Sequence, residues 1–196
     1  LMLGACICTV PPDQIRFLAV YNVLENHRVT VASMVPSVVA FLRPYLDRIH
    51  LPGLRYTLFT GESVPADVAE AWARCCPGTV IDDCYGPTEA TIYCFSYRWN
   101  RHAGAIKAYN GTVSIGRPFP GITARVADEQ HHSLPPGTRG ELMLAGDQVT
   151  RGYTGTSGNR HPSFVPVTEE EQMQVFYRTG DLVFIDTEGD CMYCGR

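Results

Sequence analysis

The sequence predicts an α/β fold in which a mostly parallel sheet with flanking helices is followed by a small β-rich, barrel-like subdomain. Three observations support this fold class. Strand and helix patterns alternate three times before residue 83, which is typical of a parallel sheet covered by helices. Helical periodicity then stops after a polar, glycine-containing stretch. With 196 residues, 45% of them apolar, the chain has the composition of a globular protein.

The first part of the chain contains the alternating strand and helix patterns. Short apolar or β-branched runs predict strands at residues 1–10, 29–33, 54–59 and 79–82. Helices are predicted to begin near the candidate N-cap Asp13, at Pro36 and at Pro65. Pro44 should kink or shorten the second of these helices. We assign residues 1–100 to this part.

The second part of the chain is predicted to contain strands and turns. Its strands are expected at residues 113–115, 123–126, 141–144, 182–185 and 191–193. We assign residues 101–111 to a linker and residues 112–196 to the β-rich subdomain. Asn110-Gly111 is a strong turn signal, although Asn110-Gly111-Thr112 also matches a glycosylation sequon. We favour the turn.

Two conspicuous loops follow predicted strands of the first part. Thr60-Gly61-Glu62 comes directly after one strand, and residues 83–89 come directly after another. In a parallel α/β sheet, ligands lie beyond the carboxyl ends of the strands. The topology therefore predicts that these two loops share one cleft, and this argument uses no comparison with other proteins.

Charge and hydropathy exclude two classes of partner. The formal charge of −4, without a basic block, argues against nucleic acid and against a membrane surface as partners. No apolar run approaches the roughly 20 residues of a membrane span. The first five residues carry no basic charge, so we do not expect a signal peptide.

The eight cysteines are interpreted as reduced structural residues of a cytoplasmic protein. Cys6 and Cys8 alternate as in a strand, and Cys75-Cys76 closes a helical pattern. Cys191 and Cys194 have the CxxC spacing of zinc or redox sites, but a second CxxC pair that would complete a four-ligand set is missing from the sequence. Zinc remains the alternative for that pair.

The segment from Asp83 to Thr91 has the residue types of a nucleotide site. A ring at Tyr85 precedes a tight Gly86-Pro87 turn, and the hydroxyl of Thr88 and the carboxylate of Glu89 follow. We expect a loop between two buried strands, with residues 92–95 leading out of it. Such a loop could stack a base, contact a phosphate and bind a divalent cation through oxygen.

Four motifs occur in the order found in one family. They are Thr60-Gly61-Glu62, Tyr85-Gly86-Pro87-Thr88-Glu89, Gly140-Glu141-Leu142 with Arg151-Gly152-Tyr153, and Tyr177-Arg178-Thr179-Gly180-Asp181 with the terminal Gly195-Arg196. Together they resemble the adenylate-forming (ANL) superfamily, above all the amino-acid adenylation domains of nonribosomal peptide synthetases and D-alanine–carrier-protein ligases. Acyl-CoA synthetases belong to the same superfamily, and Pro87 favours amino-acid activation.

The resemblance implies roles in binding ATP and Mg²⁺. It implies that Glu89 is the magnesium ligand, that Thr88 contacts phosphate and that these two residues are catalytic. Tyr85 would stack on adenine, with the Gly61 backbone on the ring's other face, and Glu62, Cys84 and Gly86 belong to the same nucleotide-binding loops. Asp181 would bind both ribose hydroxyls, and Tyr193 and Arg196 would approach the ribose and phosphates.

Asp83 departs from the family pattern, which usually has asparagine two residues before the stacking tyrosine. By resemblance this position contacts the amino group of adenine. A carboxylate accepts a hydrogen bond from that amine but cannot donate one to the ring. We therefore expect one of the two contacts to be retained.

The resemblance also implies a pocket for a small carboxylate substrate, expected to be an amino acid. Carried over position by position, its lining is Ser33, Leu58, Thr60, Cys84, Ile92 and Tyr93. This mostly apolar set predicts a substrate without a strongly charged side chain. The implied acceptor is a phosphopantetheine thiol on a carrier protein. Two alternatives stay open: an acyl- or aryl-CoA synthetase, and a non-catalytic module that binds nucleotide or a partner.

The resemblance covers only the middle of the family's catalytic unit. The family's phosphate loop would precede residue 1, and its mobile C-terminal domain would follow Arg196. We therefore expect an internal fragment that alone binds ATP weakly or not at all and forms no acyl-adenylate. Residues 154–159 look like a phosphate loop, but they fall where the family has a variable surface loop. His131-His132 is expected to be a solvated turn.

Overall fold

The computed structural model describes residues 4–10, 16–101, 104–154, 161–169 and 172–196. The chain forms two compact units. The first comprises Leu1–Asp82 and Arg98–Ile106, and the second comprises Asp83–Tyr97 and Lys107–Arg196. The sequence suggested a single boundary near residues 100–112, whereas the chain passes from one unit to the other three times. In the described residues, no helix is both long and apolar enough to span a bilayer.

The first unit contains the three α-helices of the described residues. Its elements are α1 (Arg16–Asn26), β1 (Val31–Met34), α2 (Pro36–Leu42), a 3₁₀ helix (Arg43–Arg48), β2 (Tyr56–Thr60), α3 (Ala66–Cys75), the start of β3 (Val80–Tyr85) and the end of β4 (Phe95–Trp99). Strands β1 and β2 pair in parallel, with Val31 opposite Tyr56. The strand order is β1-β2-β3-β4, which confirms the predicted α/β architecture.

Two prolines mark the start and the end of helix α2. Pro36 occupies its first turn, where a missing N–H costs nothing, and the helix ends at Leu42. Pro44 lies in the following 3₁₀ helix, which confirms that it shortens α2. The strand predicted over residues 1–10 is wrong for the described residues 4–10, which form no strand, since apolar content without a pairing partner does not make one. The candidate N-cap Asp13 lies outside the described residues.

The first unit has a polar network inside its core. Trp72 is fully buried on α3, and its indole N–H donates to Oγ1 of Thr57 over 3.0 Å. The hydroxyls of Thr57 and Thr79 lie 3.2 Å apart. Because a buried donor without a partner is costly, this network ties α3 to β2.

The second unit is mostly antiparallel sheet, as predicted for the β-rich part. It contains the end of β3, the start of β4, a 3₁₀ helix (Thr88–Ala90), β5 (Ala108–Tyr109), β6 (Thr112–Val113), β7 (Arg117–Pro118), β8 (Ile122–Ala127), β9 (Gly140–Gly146), β10 (Phe164–Glu169), β11 (Gln172–Ile185) and β12 (Cys191–Gly195). The largest sheet has the order β10-β11-β9-β8, and β12 also pairs with β11. Strand β7 pairs with β4.

Strand β11 is the longest in the chain's described part, and the sequence predicted only its last four residues. Its first half, with polar and aromatic residues, pairs with β10, which was not predicted. The Asn110-Gly111 turn is confirmed. Both residues have positive φ, 48° and 78°, as a two-residue hairpin between β5 and β6 requires.

The core of the second unit lies on its largest sheet. Leu142 and Leu144 of β9, Val183 of β11 and Cys191 of β12 are fully buried there, together with Phe95. The rim of this core includes Tyr85 and Tyr193, both partly buried. Residues assigned to the nucleotide site therefore stand at the edge of a rigid core, which holds them in place.

Candidate functional site

A side-chain hydrogen bond of the candidate site joins two motifs that are distant in sequence. The hydroxyl of Tyr85 donates to Oδ2 of Asp181 over 2.6 Å. The guanidinium of Arg196 donates from Nε to the other oxygen, Oδ1, over 2.7 Å. Asp181 is 3% exposed, so its carboxylate is buried between these two donors. Arg196 keeps this contact although it ends the chain.

Asp181 is placed by an irregularity in β11. The register against β9 shifts between Arg178 and Leu182, and Gly180 has a φ of 73°. Within this bulge the hydroxyl of Thr179 donates to the carbonyl oxygen of Leu142 over 2.8 Å. The Asp181 N–H in turn donates to that hydroxyl over 3.0 Å. The bulge thus turns the Asp181 side chain toward Tyr85.

Tyr85 remains protonated at any physiological pH. Burial raises the pKa of its phenol strongly, and the charge of Asp181 and the hydrogen bond to it act in the same direction. Its ring meets Phe95 edge-on, with centroids 5.9 Å apart. The phenol is therefore a fixed donor to Asp181, and its ring is held by the core.

The loop after Tyr85 differs from the sequence prediction at both ends. Asp83, Cys84 and Tyr85 belong to strand β3, so the loop begins at Gly86. The exit strand predicted from residue 92 is wrong, because Thr91 and Ile92 have positive φ, 58° and 72°, and β4 begins at Phe95. A 2.9 Å hydrogen bond from the Cys94 N–H to the Tyr85 carbonyl closes the loop.

Gly86 allows this tight turn. A Cβ at this position would lie 2.5 Å from the carbonyl oxygen of Ile92 and 2.9 Å from the amide nitrogen of Cys94. Both atoms belong to the backbone, so they cannot move as a flexible side chain would. The loop therefore requires glycine here for close approach.

Glu89 is partly buried at the end of this loop and contacts two tyrosines. The hydroxyl of Tyr153 donates to its Oε1, and Tyr177 also hydrogen-bonds to its side chain. Burial alone would raise the pKa of Glu89, but the hydrogen bonds from Tyr153, from the backbone and from Tyr177 outweigh burial and lower the pKa. The carboxylate is therefore ionised at neutral pH. Thr88 precedes it as an exposed residue of the 3₁₀ helix.

Asp83 is buried near the end of β3, at 4% exposure. Burial raises its pKa well above the ordinary value for aspartate. A protonated carboxyl group carries an O–H donor as well as an acceptor. The donor that the sequence argument assigned only to asparagine is therefore present in the protonated form of Asp83. The neighbouring Cys84 is buried as well.

Gly61 and Glu62 belong to the first unit. Gly61 has a φ of 80°, and Glu62 accepts hydrogen bonds of 3.1 Å from both the N–H and the hydroxyl of Ser37. Ser37 lies in the first turn of α2, whose N-cap residue Val35 supplies no side-chain cap. Glu62 therefore caps α2, in agreement with the preference for anions at helix N-termini.

The residues carried over for the substrate pocket are divided between the two units. Ser33 is exposed on β1, and Leu58 and Thr60 are partly buried on β2 of the first unit. In the second unit Cys84 is buried, Ile92 is 65% exposed and Tyr93 is partly buried. The pocket formed by the six residues stays a prediction.

Tyr153 and Tyr177 belong to motifs recognised in the sequence, but the sequence predicted no role for either residue. Their relation to Glu89 depends on how the loop from Gln148 to Tyr153 folds. Spacing within one motif does not carry that information. Tyr193 was assigned to the ribose, and burial followed by the charge of Asp181 raises its pKa.

Other motifs of the sequence carry no site in the described chain. Cys191 is buried and Cys194 partly buried, and all eight cysteines are free. His131 and His132 lie in a turn in which His132 faces Asp128. The sequence stretch 154–159 looks like a phosphate loop, and its residues 155–159 lie outside the described residues.

One acidic cluster surrounds a lysine of the same unit. Asp186, Glu188 and Asp190 offer carboxylate oxygens within 4.8 Å of one another. Lys107 Nζ lies 3.0 Å from Asp186 and 2.6 Å from Glu188, and it also contacts Asp190. Because an ammonium group already occupies its centre, the cluster is an ion-pair network of the β11–β12 hairpin.

Comparison with known proteins supports the motif analysis. The sequence model of the family described as AMP-binding enzyme matches residues 1–154. Novobiocin biosynthesis protein H of Streptomyces niveus is 32% identical over 193 residues, which cover 98% of this chain and 30% of that protein. Nonribosomal peptide synthetase criC of Aspergillus cristatus is 36% identical over 167 residues, which cover 83% of this chain and 7% of that protein.

A solved structure has the same fold. The Vibrio cholerae adenylation domain AlmE, in complex with glycyl-adenosine-5′-phosphate, matches with a TM-score of 0.77 at 31% identity. The match covers 95% of this chain and 34% of that one. The chain thus spans about a third or less of the length of these relatives.

Proposed function

The chain belongs to the AMP-binding enzyme family, and on this premise we propose that the full-length protein carrying it activates an amino acid as an aminoacyl-AMP. In this reaction a carboxylate oxygen of the amino acid bonds to the α-phosphorus of ATP. The bond from that phosphorus to the pyrophosphate leaving group breaks. Both reactants are anions, so the protein must position them and neutralise charge.

The linked side chains of Tyr85, Asp181 and Arg196 carry this proposal. An adenosine needs a flat surface for its base and acceptors for its ribose diol. The Tyr85 ring supplies the surface, and the Asp181 carboxylate supplies two acceptor oxygens. Each of these oxygens has a second lone pair beside the one that accepts from Tyr85 or Arg196. We assign these remaining lone pairs to the ribose hydroxyls.

Asp83 completes the adenine contacts in its protonated form. Its carbonyl oxygen accepts from the exocyclic amine, and its O–H donates to a ring nitrogen. Burial favours the neutral acid that this requires. Aspartic acid at this position can thus replace the asparagine that is usual in the family.

Glu89 and Thr88 are the residues proposed to act on the phosphates of ATP, through magnesium and through a hydrogen bond. The Glu89 carboxylate is ionised and presents oxygen, the ligand that magnesium prefers, so its chemistry fits the ion. When bound, magnesium neutralises charge that develops on the phosphate oxygens. The Thr88 hydroxyl can donate to a phosphate oxygen from the adjacent position.

The substrate is proposed to be an amino acid without a charged side chain. The lining carried over from the family consists of Ser33, Leu58, Thr60, Cys84, Ile92 and Tyr93, and none of these is charged at neutral pH. AlmE, at 31% identity, binds glycyl-adenosine-5′-phosphate, the product of such an activation. The acceptor is proposed to be a carrier-protein phosphopantetheine thiol, since the relative criC is a nonribosomal peptide synthetase.

The proposal is tested by substrate-dependent ATP–pyrophosphate exchange with the full-length protein. Amino acids, aryl acids and fatty acids are screened, and active acids are then offered with a carrier protein or with CoA. We expect exchange with an amino acid whose side chain is uncharged. In Asp181→Ala the rate of exchange should fall at least tenfold. Exchange only with fatty or aryl acids, followed by CoA transfer, would favour the CoA-synthetase alternative. A protein that binds nucleotide but exchanges with no acid would be a non-catalytic module.

A substitution at Tyr93 tests the pocket separately. If Tyr93 lines the pocket, Tyr93→Ala should change the order of preference among amino acids. An unchanged order, with activity retained, would remove Tyr93 from the pocket. Tyr45→Phe, at an exposed residue of the first unit's 3₁₀ helix, is the control.

A further inference from the structure

Two tyrosines from separate parts of the second unit converge on one carboxylate. Tyr153 follows strand β9 and is 40% exposed, whereas Tyr177 lies within β11 and is 8% exposed. The Tyr153 hydroxyl donates to Oε1 of Glu89, and Tyr177 shares its single hydroxyl proton between the Glu89 side chain and the Tyr153 oxygen. Glu89 is thus part of a three-residue polar cluster, which we name the Glu89 cluster.

Neighbouring aromatic rings pack against the side chains of Tyr153 and Tyr177. The Tyr153 ring meets His161 and Phe164 edge-on, with centroid distances of 4.8 and 5.5 Å. Phe164 also packs on Tyr177 at 5.2 Å and is itself 3% exposed. Packing on one buried ring restricts the rotation of both tyrosines, so their hydroxyls are donors in fixed positions.

The backbone around the Glu89 cluster is tied in the same way. The Thr150 N–H donates to the Glu89 carbonyl oxygen over 2.7 Å. The Thr91 hydroxyl donates to the Gln148 carbonyl over 2.7 Å, and the Gln148 amide donates to the Tyr93 carbonyl over 3.1 Å. The segment that carries Tyr153 is therefore bound along its length to the loop that carries Glu89.

From this geometry we propose that Tyr153 and Tyr177 are positioning residues that hold the Glu89 carboxylate ready for Mg²⁺. This inference rests on the proposed function of Glu89 as the magnesium ligand. A glutamate side chain that is free to rotate must be ordered when an ion binds, and a preorganised one avoids that cost. Tyr153 donates to Oε1, and the two carboxylate oxygens together keep lone pairs that can bind a cation.

The substitutions Tyr153→Phe and Tyr177→Phe remove the hydroxyls and keep the rings. In the full-length protein, amino-acid-dependent pyrophosphate exchange is measured against Mg²⁺ concentration, with ATP and amino acid saturating. Binding of Mg²⁺ in the presence of a non-hydrolysable ATP analogue is measured by calorimetry as well, because this readout does not depend on turnover. We expect the Mg²⁺ concentration for half-maximal rate to rise about fivefold in each variant, which corresponds to roughly 1 kcal/mol, the net size of one typical hydrogen bond. The KM for the amino acid should change little.

Two controls separate positioning from a structural role. Tyr45→Phe removes the hydroxyl of an exposed tyrosine in the first unit and should leave the Mg²⁺ dependence unchanged. The urea midpoint of Tyr153→Phe should stay near wild type, since this side chain is exposed. A fall in maximal rate at unchanged Mg²⁺ dependence would overturn the inference, as would a change explained by unfolding.

Glu89→Gln distinguishes failure of the inference from failure of the proposed function. If Glu89→Gln raises the Mg²⁺ requirement while both tyrosine variants do not, only the positioning role is refuted. If Glu89→Gln leaves the requirement unchanged, Glu89 is not the magnesium ligand and both statements fail. Absence of exchange by the wild-type protein with any carboxylic acid would refute the proposed function and this inference with it.

Discussion

The Tyr85 hydroxyl donates a 2.6 Å hydrogen bond to the Asp181 carboxylate across 96 residues of sequence. One of these residues was assigned to adenine and the other to ribose. Their direct bond means that the surface for the base and the acceptor for the sugar are not independent. A change at Tyr85 should therefore alter ribose recognition as well as stacking.

This coupling predicts a selective effect of Tyr85→Phe in the full-length protein. The ring remains, but Asp181 loses one of its two donors, so its carboxylate is less well oriented. We expect the affinity for AMP to fall about fivefold, corresponding to roughly 1 kcal/mol for one hydrogen bond. The affinity for the 2′,3′-dideoxy analogue should fall less, because that ligand does not use Asp181. Calorimetric titration with both ligands measures the difference.

Tyr85→Ala is the matched comparison for this prediction. It removes the ring together with the hydroxyl, so both ligands should bind more weakly than they do to Tyr85→Phe, and AMP should still lose about fivefold more affinity than the dideoxy analogue. If Tyr85→Phe weakened both ligands equally, the hydrogen bond would have no part in orienting Asp181.

The sequence predicted the residue types of the site better than their local conformation. Short motifs fix which side chains are present, so Tyr85, Asp181 and Glu89 could be assigned from the sequence, and their roles in the site stay predictions. The bulge at Gly180 and the turn at Thr91 and Ile92 were not predicted, because they depend on pairing with β9 and on backbone packing. An apolar run such as residues 92–95 has the composition of a strand whichever conformation it adopts.

The cluster around Glu89 could not be predicted for a related reason. Tyr153 and Tyr177 reach Glu89 only because β10 and the first half of β11 pair and bring Phe164 under both rings. Those strands carry no clear alternation in sequence, so neither was expected. Long-range antiparallel register is set by the whole sheet and not by a local pattern.

Asp83→Asn should change how the stability of the chain depends on pH. Burial raises the folded-state pKa of Asp83, so the folded state binds its proton more tightly than the unfolded state. The stabilisation is complete below the unfolded pKa of about 4 and is lost as pH rises through the folded pKa. Between pH 5 and pH 8, the free energy of unfolding of wild type, measured with urea, should therefore fall relative to that of Asp83→Asn.

Asp128 provides a control, because its pKa is shifted in the direction opposite to that of Asp83. Its pKa is lowered by the backbone N–H of His132, which donates over 2.8 Å. Its contribution to stability is present above the unfolded pKa and is lost only as pH falls through the still lower folded pKa. His132 lies 3.4 Å from the Asp128 carboxylate, and a histidine there would add its own pH dependence, so both proteins carry His132→Asn. In that background Asp128→Asn should shift the free energy of unfolding by the same amount at pH 5 and pH 8. If the free energies of unfolding of wild type and Asp83→Asn changed with pH in parallel, Asp83 would be ionised when buried.

Thr57→Val should destabilise the first unit although the two side chains have nearly the same shape. The substitution removes the acceptor of the fully buried Trp72 indole N–H and the hydroxyl partner of Thr79. An unsatisfied buried donor costs about 1–3 kcal/mol, and we expect a loss in that range by urea unfolding. Thr123→Val, at an exposed position of β8, should change stability by less than about 0.5 kcal/mol. Equal effects at the two sites would contradict the role of the network.

Gly86→Ala should disturb the loop that carries Glu89. The new Cβ would lie 2.5 Å from the Ile92 carbonyl oxygen, so the backbone must shift to accept it. Overpacking of this kind costs about 2 kcal/mol. Because the same shift moves Glu89, pyrophosphate exchange by the full-length protein should fall at least tenfold, more than the loss of folded protein explains. Gly53→Ala is the matched control, since its Cβ would meet nothing within 4 Å. A Gly86→Ala variant with wild-type exchange would show that the loop tolerates movement and that the position of Glu89 is not critical.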